Sequence, residues 1–162
     1  MKNEKCDIDW EGWRPTEEAT LMFVVQDGRM LLIHKKRGLG AGLINGPGGR
    51  LELGETPEQC ALRETREELG IEVQNPRFAG ELCFDMTDGY KLRAHVFTAT
   101  QFSGIPTETD EATPEWFALD ALPFERMWSD DRIWFPYMLS GRRFIGRFLF
   151  DGMTMLWHEM MD

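Results

Sequence analysis

The sequence has few cysteines and no long apolar run. Its three cysteines are an odd number with no close pair, which predicts reduced thiols and excludes a disulfide framework or a cysteine zinc site. No apolar run approaches the roughly 18 residues that a membrane span needs, and the polar character of residues 1–9 excludes a secretory signal. We therefore expect a cytoplasmic protein with no membrane partner.

Basic residues are outnumbered, with 18 Lys and Arg against 28 Asp and Glu and a formal net charge of −10. Nucleic-acid polymers and anionic membranes attract basic surfaces, so both are excluded as non-specific partners. A small anionic ligand that arrives with a metal cation stays compatible with this charge. The length of 162 residues fits one domain that buries about two-thirds of its unfolded surface, and we expect a monomer.

Apolar runs separated by Asp-Gly pairs organise the chain. Three such pairs each lie between two apolar runs: Asp27-Gly28, Asp88-Gly89 and Asp151-Gly152. Asp-Gly predicts a hairpin because both residues tolerate positive φ. Residues 1–18 are polar apart from Trp10 and Trp13. We therefore divide the chain into an N-terminal extension over 1–18 and a single domain over 19–162.

A helix is predicted over 57–69. Thr56 suits the N-cap, Pro57 suits the first helical position, and Gln59 completes a capping box. Gly70 is a C-terminal stop.

A second helix is predicted from about Asp130 to Leu139, short or kinked because of Pro136. Hairpins together with helices that cover both faces of a sheet favour an α/β fold, an α/β/α sandwich with a mixed sheet.

The first of these helices carries clustered acids. Glu64, Glu67 and Glu68 stand at i, i+3 and i+4, where Cβ atoms are about 5–6 Å apart. Three like charges repel one another unless a cation lies between them, and hard oxygen ligands suit Mg²⁺ or Mn²⁺. Arg63 can orient one of these carboxylates through a charge-assisted bond. The alternative is a solvated, charged helix face.

A longer pattern surrounds this cluster. It consists of Gly49, Glu55, Arg63, Glu64, Glu67, Glu68, Leu69, Gly70 and Ile71 at fixed spacing. This pattern resembles the Nudix box, the signature of the Nudix hydrolase family, with Thr65 where the family usually has an aliphatic residue. The resemblance implies a Nudix α/β/α fold and Mg²⁺-dependent hydrolysis of a nucleoside diphosphate linked to another moiety.

The resemblance also implies roles for individual residues. Glu64, Glu67 and Glu68 would ligate Mg²⁺, helped by the backbone carbonyl of Gly48. Glu111 stands where relatives carry a loop glutamate that reaches the metal. A carboxylate would take the proton of the attacking water, and the sequence leaves Glu64 and Glu111 open as the base.

A pair of adjacent acids lies within an aromatic cluster after residue 126. If Asp130 and Asp131 are buried together, one of them keeps a proton, because two buried charges are costly. One donor and several acceptors suit a purine edge, and Trp128 can stack on the base. The alternative is that Ser129, Asp130 and Asp131 only cap the second helix.

Stretches outside the box resemble the animal branch of the Nudix family that hydrolyses oxidised purine nucleoside triphosphates. They are Lys35-Lys36-Arg37-Gly38, Gly40-Ala41-Gly42, Asn45-Gly46, Trp116-Phe117, Leu119-Asp120, Met127-Trp128, Asp130-Asp131 and Trp134-Phe135-Pro136. The resemblance implies hydrolysis of 8-oxo-dGTP and 2-hydroxy-dATP to the monophosphate and pyrophosphate, which sanitises the nucleotide pool. The implied substrate contacts are Thr20, Lys35, Asn45, Pro47, Gly48, Gly49, Arg50, Trp128, Ser129, Asp130 and Asp131.

Departures from that branch leave alternatives open. Leu39, Met86 and Pro47 stand where those relatives have phenylalanines, which can shift the preference among modified purines. A dinucleoside polyphosphate, a nucleotide sugar or a methylated purine triphosphate is an alternative substrate. A binding module without catalysis is a further alternative, although it would have no need of the repulsive acids. The basic run 34–37 either attracts triphosphate or is a solvated strand end.

Overall fold

The computed structural model of the chain describes residues 6–162, and strands dominate it. The strands are β1 (Glu17–Gln26), β2 (Arg29–Lys35), β3 (Ile44–Asn45), β4 (Gly48–Arg50), β5 (Glu72–Gln74), β6 (Arg77–Met86), β7 (Lys91–Ala99), β8 (Gln101–Ser103), β9 (Ala112–Ala118), β10 (Phe144–Asp151) and β11 (Thr154–Met161). The helices are α1 (Pro57–Leu69) and α2 (Asp131–Leu139), with a short 3₁₀ turn at Phe124–Arg126. Within these residues, neither helix is long and apolar enough to cross a membrane.

The three predicted hairpins are confirmed. β1 pairs with β2, β6 with β7 and β10 with β11, each antiparallel across its Asp-Gly turn. At the first turn, Asp27 and Gly28 have φ of 53° and 73°, the left-handed conformation that a two-residue hairpin turn requires.

The main sheet is mixed, as predicted. Its strand order is β11-β10-β6-β7-β1-β2-β3, with β4 beside β1 and β9 beside β2. β1 runs parallel to β7, and β6 runs parallel to β10. β5 and β8 form a separate two-stranded ribbon.

Helix α1 begins and ends where its caps predict. Thr56 Oγ1 accepts a hydrogen bond from the backbone N–H of Gln59 at 3.2 Å, and Gln59 Oε1 accepts one from the backbone N–H of Thr56 at 3.0 Å. Gly70 adopts φ of 72° after the last turn. The buried side chains of α1 include Thr65 and Leu69, and also Glu68. Glu67 is exposed and is turned away from the core.

The two helices cover opposite faces of the sheet. Met22 and Val24 of β1 pack in one buried cluster with α1, whereas Phe23 between them packs in a second cluster with Trp134 and Phe135 of α2. Alternate strand residues point to opposite faces, so this division confirms the α/β/α sandwich. Helix α2 contains Pro136 and spans only nine residues.

The tryptophans before β1 cover part of the sheet that α1 does not reach. Trp13 is 5% exposed and its Nε1 donates to Asp85 Oδ2 of β6 at 3.0 Å. Trp10 stacks on Trp157 of β11 with ring centroids 5.9 Å apart. Strand β1 begins at Glu17, close to the predicted boundary at residue 18, and this division of the chain stays a prediction. Residues 1–5 of the predicted extension lie outside the described residues.

Candidate active site

A cavity of about 660 Å³ opens beside the central strands and gathers residues from distant parts of the chain. Of the residues predicted to be catalytic, metal-binding or substrate-binding, the cavity is lined by Thr20, Lys35, Asn45, Gly48, Gly49, Arg50, Glu64, Glu68, Glu111, Trp128, Asp130 and Asp131. Four others do not line it: Arg63, Glu67, Pro47 and Ser129. One cavity therefore contains both the acids of α1 and the aspartate pair.

Three carboxylates of the cavity lining form a cluster. Glu64 and Glu68 come from α1, and Glu111 comes from the loop before β9. Each offers one oxygen, and these three oxygens lie within 4.8 Å of one another. Hard oxygen donors at this separation fit a divalent cation such as Mg²⁺. These residues could therefore hold a metal ion.

A glycine loop packs directly against this acid cluster. The backbone N–H of Gly48 donates to Glu68 Oε2 at 3.0 Å. A Cβ added at Gly49 would lie 2.4 Å from Glu64 Cδ, and one added at Gly48 would lie 1.8 Å from the carbonyl oxygen of Thr20. Only glycine permits this approach, because any side chain would clash with a carboxylate or with β1.

Burial makes the ionised forms of the acids costly. It raises the pKa of Glu68 to about 8, against the opposing effect of the Gly48 hydrogen bond, and it also raises the pKa of Glu64. Burial lowers the pKa of Lys35, the nearby ammonium group. A cation bound among the carboxylates would reverse their shifts by stabilising the ionised forms.

Arg63 orients the acid cluster through hydrogen bonds to Glu55 and Glu64. Its guanidinium donates to both carboxylate oxygens of Glu55, with Nε–Oε2 at 2.6 Å and Nη2–Oε1 at 2.9 Å. The same group donates to Glu64 Oε1 at 2.9 Å. The hydrogen bond from Arg63 lowers the pKa of Glu55 to about 2. Glu55 therefore anchors Arg63, and Arg63 orients Glu64.

Glu67 is separated from the other acids of its helix. Its side chain is 50% exposed and accepts a hydrogen bond from Arg63 at 3.2 Å. It does not belong to the group formed by Glu64, Glu68 and Glu111. The glycine loop packs against Glu68 through the Gly48 N–H, whereas Glu67 lies toward solvent.

The lining of the same cavity includes two buried aspartates. Asp130 and Asp131 are each 3% exposed. Asp130 Oδ2 accepts a hydrogen bond from Trp134 Nε1 at 2.9 Å, whereas Asp131 Oδ2 has no partner among the described residues. Asp130 makes no capping bond to α2, so capping does not account for its carboxylate.

These aspartates favour a shared proton. Burial raises the pKa of both carboxyls, and the charge of Asp130 raises that of Asp131 further. Two adjacent carboxyls that share a proton present one donor and several acceptors to a ligand. This is a hydrogen-bonding set that suits a nucleobase edge.

Trp128 and Asn45 flank the aspartate end. The ring of Trp128 lies at 83° to that of Phe150, with ring centroids 5.8 Å apart. Asn45 Oδ1 accepts a hydrogen bond from Gly46 N–H at 2.8 Å. Both side chains line the cavity.

Two expected substrate contacts lie away from the cavity lining. Pro47 is buried, and its carbonyl accepts a hydrogen bond from Met22 N–H at 2.8 Å, so it supports the loop from the β1 side. Ser129 is exposed at the start of α2.

The basic run 34–37, at the end of β2, has two kinds of neighbour: the cavity and nearby acidic side chains. Lys35 lines the cavity. Lys36 Nζ lies 2.6 Å from Glu108 Oε1, and Arg37 Nη2 lies 2.9 Å from Glu111 Oε1. Neither attraction of a triphosphate nor a solvated strand end therefore accounts for the whole run.

Sequence reasoning missed the apolar floor of the cavity. It is formed by Leu82, Phe84, Leu92, Ala94 and Phe150, with Tyr90 at the rim. Tyr90 donates its hydroxyl to Glu17 Oε2 at 2.5 Å, and Arg50 Nε lies 3.1 Å from the same oxygen. The alternation of apolar residues in β6 and β7 was the available signal for this face.

One cavity of this sandwich is lined both by three clustered carboxylates that could hold a metal ion and by two buried aspartates. The chain belongs to the NUDIX family, whose domain model matches residues 15–138. The predicted family and enzyme class are thereby confirmed.

Two relatives from vertebrates are similar over most of the chain. Both bear the name oxidized purine nucleoside triphosphate hydrolase. The Danio rerio protein is 45% identical over 144 residues, which cover 88% of this chain and 92% of the relative. The Mus musculus protein is 42% identical over 145 residues, which cover 88% and 93%.

Solved structures support the fold. A MutT protein from Bacillus halodurans has a TM-score of 0.79 and 28% identity, covering 89% of this chain and 97% of that one. A MutT NUDIX hydrolase from Burkholderia pseudomallei has a TM-score of 0.68 and 33% identity, covering 78% and 98%. The predicted fold class is confirmed.

Proposed function

We propose that the chain hydrolyses oxidised purine nucleoside triphosphates, 8-oxo-dGTP and 2-hydroxy-dATP, to the monophosphate and pyrophosphate. The names of the Danio rerio and Mus musculus relatives support this substrate class. The observation that carries the proposal is the pair of buried aspartates in the same cavity as the acid cluster. A nucleotide can then place its base at one end and its phosphates at the other.

The aspartate end is proposed to select the base. Asp130 and Asp131 with one proton would donate to a carbonyl and accept from N–H groups of an oxidised purine. Asn45 would add a further polar contact, and Trp128 would stack on the ring. An aspartate buried without a partner is costly, and a base that supplies this partner recovers the cost.

The acid cluster is proposed to hold Mg²⁺, with Mn²⁺ as a substitute. Glu64, Glu68 and Glu111 would be ligands, and the family resemblance adds Glu67 and the carbonyl of Gly48. When bound, the ion neutralises the phosphate charge and lowers the pKa of a coordinated water. The hard oxygen donor set supports this choice of ions.

The remaining roles are proposed from position. Glu64 or Glu111 would take the proton of the attacking water, since both carboxylates lie at the phosphate end. Lys35 and Arg50 line the cavity and would contact the phosphates. Arg63 would keep Glu64 oriented through its own bond to that residue.

The backbone around the site is proposed to bring the nucleotide close to these groups. Thr20 and Gly49 face each other across β1 and β4 and would line the nucleotide site. We further propose that the protein acts as a cytoplasmic monomer on the free nucleotide pool, with no nucleic-acid polymer or membrane as partner. Its functional unit would be the domain over 19–162, preceded by the extension over 1–18.

The proposal is tested by comparing kcat/KM with Mg²⁺ for 8-oxo-dGTP, 2-hydroxy-dATP, dGTP and diadenosine tetraphosphate. We expect the two oxidised nucleotides to be preferred by at least about tenfold, since each hydrogen bond lost from a buried site costs on the order of 1 kcal/mol or more. A clear preference for dGTP or for the dinucleotide would contradict the proposal.

A further inference from the structure

A single threonine hydroxyl joins the two segments that supply the acid cluster. Thr109 Oγ1 donates to the backbone carbonyl of Glu68 at 2.8 Å and accepts from the backbone N–H of Glu111 at 3.3 Å. The carboxylates of Glu68 and Glu111 belong to the same group within 4.8 Å. Thr109 therefore connects the helix and the loop through the backbones of two of the three clustered acids.

The loop that carries Glu111 lacks regular secondary structure of its own. Residues 104–111 lie between β8 and β9, and a loop of this kind is held only by individual contacts. The negative charge of the cluster opposes the approach of this loop to α1, because the three carboxylates repel one another. The position of Glu111 consequently depends on the bonds that fasten the loop to α1 and β2.

Those bonds converge on the backbone near Thr109. The Thr109 carbonyl accepts from Lys36 Nζ at 2.9 Å, and the Glu111 carbonyl accepts from the Lys36 N–H at 3.0 Å. On the helix side, the Thr107 N–H donates to the carbonyl of Leu69 at 2.9 Å. Among the side chains of residues 6–162, the Thr109 hydroxyl alone hydrogen-bonds both the last turn of α1 and the backbone of Glu111.

We propose that Thr109 is a positioning residue that holds Glu111 against Glu68, so that both carboxylates face one divalent cation. This inference rests on the proposed function of the acid cluster as a cation site. The bond to Glu68 satisfies a carbonyl in the last turn of α1, which has no partner within the helix. A purely structural helix cap is therefore the interpretation that the test must separate from positioning.

The variants are chosen to isolate the hydroxyl. Thr109→Val keeps the shape of the side chain but removes the donor and acceptor, and Thr109→Ser restores them. Thr107→Val is the matched control, because the Thr107 hydroxyl bonds only within the loop, to the carbonyl of Ile105 at 2.7 Å. Both threonines lie in the same loop, two positions apart.

Mn²⁺ affinity is measured by calorimetry on the nucleotide-free protein, and kcat and KM are measured with the preferred nucleotide. We expect Thr109→Val to weaken Mn²⁺ binding and to lower kcat by about tenfold each, as losses of outer-shell partners do. We expect Thr109→Ser and Thr107→Val to remain within about twofold of the unaltered protein in both measurements. Thermal unfolding reports any general damage to the fold.

A double-substitution cycle adds a readout that a structural role would not move. In a Glu111→Gln background, Thr109→Val should lose most of its effect on Mn²⁺ affinity, because the residue that it positions no longer binds as a carboxylate. Full additivity of the two substitutions would overturn the proposal. So would wild-type Mn²⁺ affinity in Thr109→Val, or an equal loss in Thr107→Val.

The outcome can be separated from that of the proposed function. If the unaltered protein prefers another nucleotide but Thr109→Val still weakens Mn²⁺ binding, the positioning role stands and the substrate assignment fails. If the unaltered protein binds no Mn²⁺, the cation site fails and the positioning role fails with it. A lowered unfolding temperature with unchanged Mn²⁺ affinity would make Thr109 a helix cap only.

Discussion

Trp134 holds the carboxylate of Asp130 with an indole N–H at 2.9 Å, and this bond makes the two adjacent aspartates unequal. The donated bond favours the ionised form of Asp130. Asp131 Oδ2 has no hydrogen-bond partner among the described residues, and the charge of Asp130 raises the pKa of Asp131 further. Burial and the charge of Asp130 therefore raise the pKa of Asp131 the most, which favours Asp131 as the carboxyl that donates to a ligand.

The first prediction concerns the pH dependence of stability. The pKa values of Asp130 and Asp131 in the folded protein lie above the ordinary value. Protonation of these carboxyls therefore stabilises the fold fully below about pH 4. This stabilisation is lost as pH rises through their folded-state pKa values. Asp131→Asn has no proton to lose there. We expect the free energy of unfolding of the Asp131→Asn protein to fall less over this range than that of the unaltered protein.

The measurement is urea unfolding of both proteins between pH 4 and pH 8. All other acids are shared by the two proteins, so only the difference between the curves is interpreted. Parallel curves would mean that Asp131 is ionised in the folded protein over the whole range.

The second prediction concerns the fork formed by Arg63. A lysine cannot reproduce the paired bonds to Glu55 or the simultaneous bond to Glu64. We expect Arg63→Lys to lower kcat by about tenfold or more, as loss of an orienting partner does, and to change KM little.

Arg66→Lys is the matched control for that variant. Arg66 lies on the same helix, and its partner Glu72 is exposed like itself. Exposed ion pairs contribute little, about 0–1 kcal/mol, so kcat should not change. Equal effects of the two substitutions would show that Arg63 acts through general helix stability.

The third prediction concerns the tryptophan that packs before β1. Trp13 is almost fully buried against Asp85 and Arg93. Asp85 points away from the cavity, since its neighbours Phe84 and Met86 line it and strand residues alternate in direction. We expect Trp13→Ala to cost about 3–5 kcal/mol of stability and to leave kcat/KM of the folded protein unchanged.

Urea unfolding and steady-state kinetics below the transition check this third prediction. Trp10→Ala, which removes a half-buried ring from the same surface, should cost less. A loss of kcat/KM without a loss of stability would place Trp13 in communication with the substrate.

Local signals were sufficient where the structure depends on a few neighbouring residues. The capping box of Thr56 and Gln59 predicted the start of α1, and Asp27-Gly28 predicted a hairpin, because each depends on backbone geometry within four positions. For Asp130 and Asp131 the local sequence left two interpretations, burial together or a helix cap, and the structure shows both side chains buried with no capping bond from Asp130.

The rest depends on contacts between distant segments. The separation of Glu67 from Glu64 and Glu68 depends on where the glycine loop docks, which helix spacing alone does not determine. The role of Thr109 depends on a bond to Glu68 that spans 41 positions. Strand alternation can indicate which residues share a face of the sheet, but not which face borders the cavity.

The tryptophans are divided between the two faces of the sheet, and this has an optical consequence. All six lie within the described residues, and only Trp128 lines the cavity. Trp10 contacts both Trp13 and Trp157, away from the cavity. The emission of these three should be a constant background, so a change of intrinsic fluorescence on adding a nucleotide would originate mainly from Trp128, with a smaller part from Trp134 through its bond to Asp130. The change should therefore be much smaller in a Trp128→Phe protein.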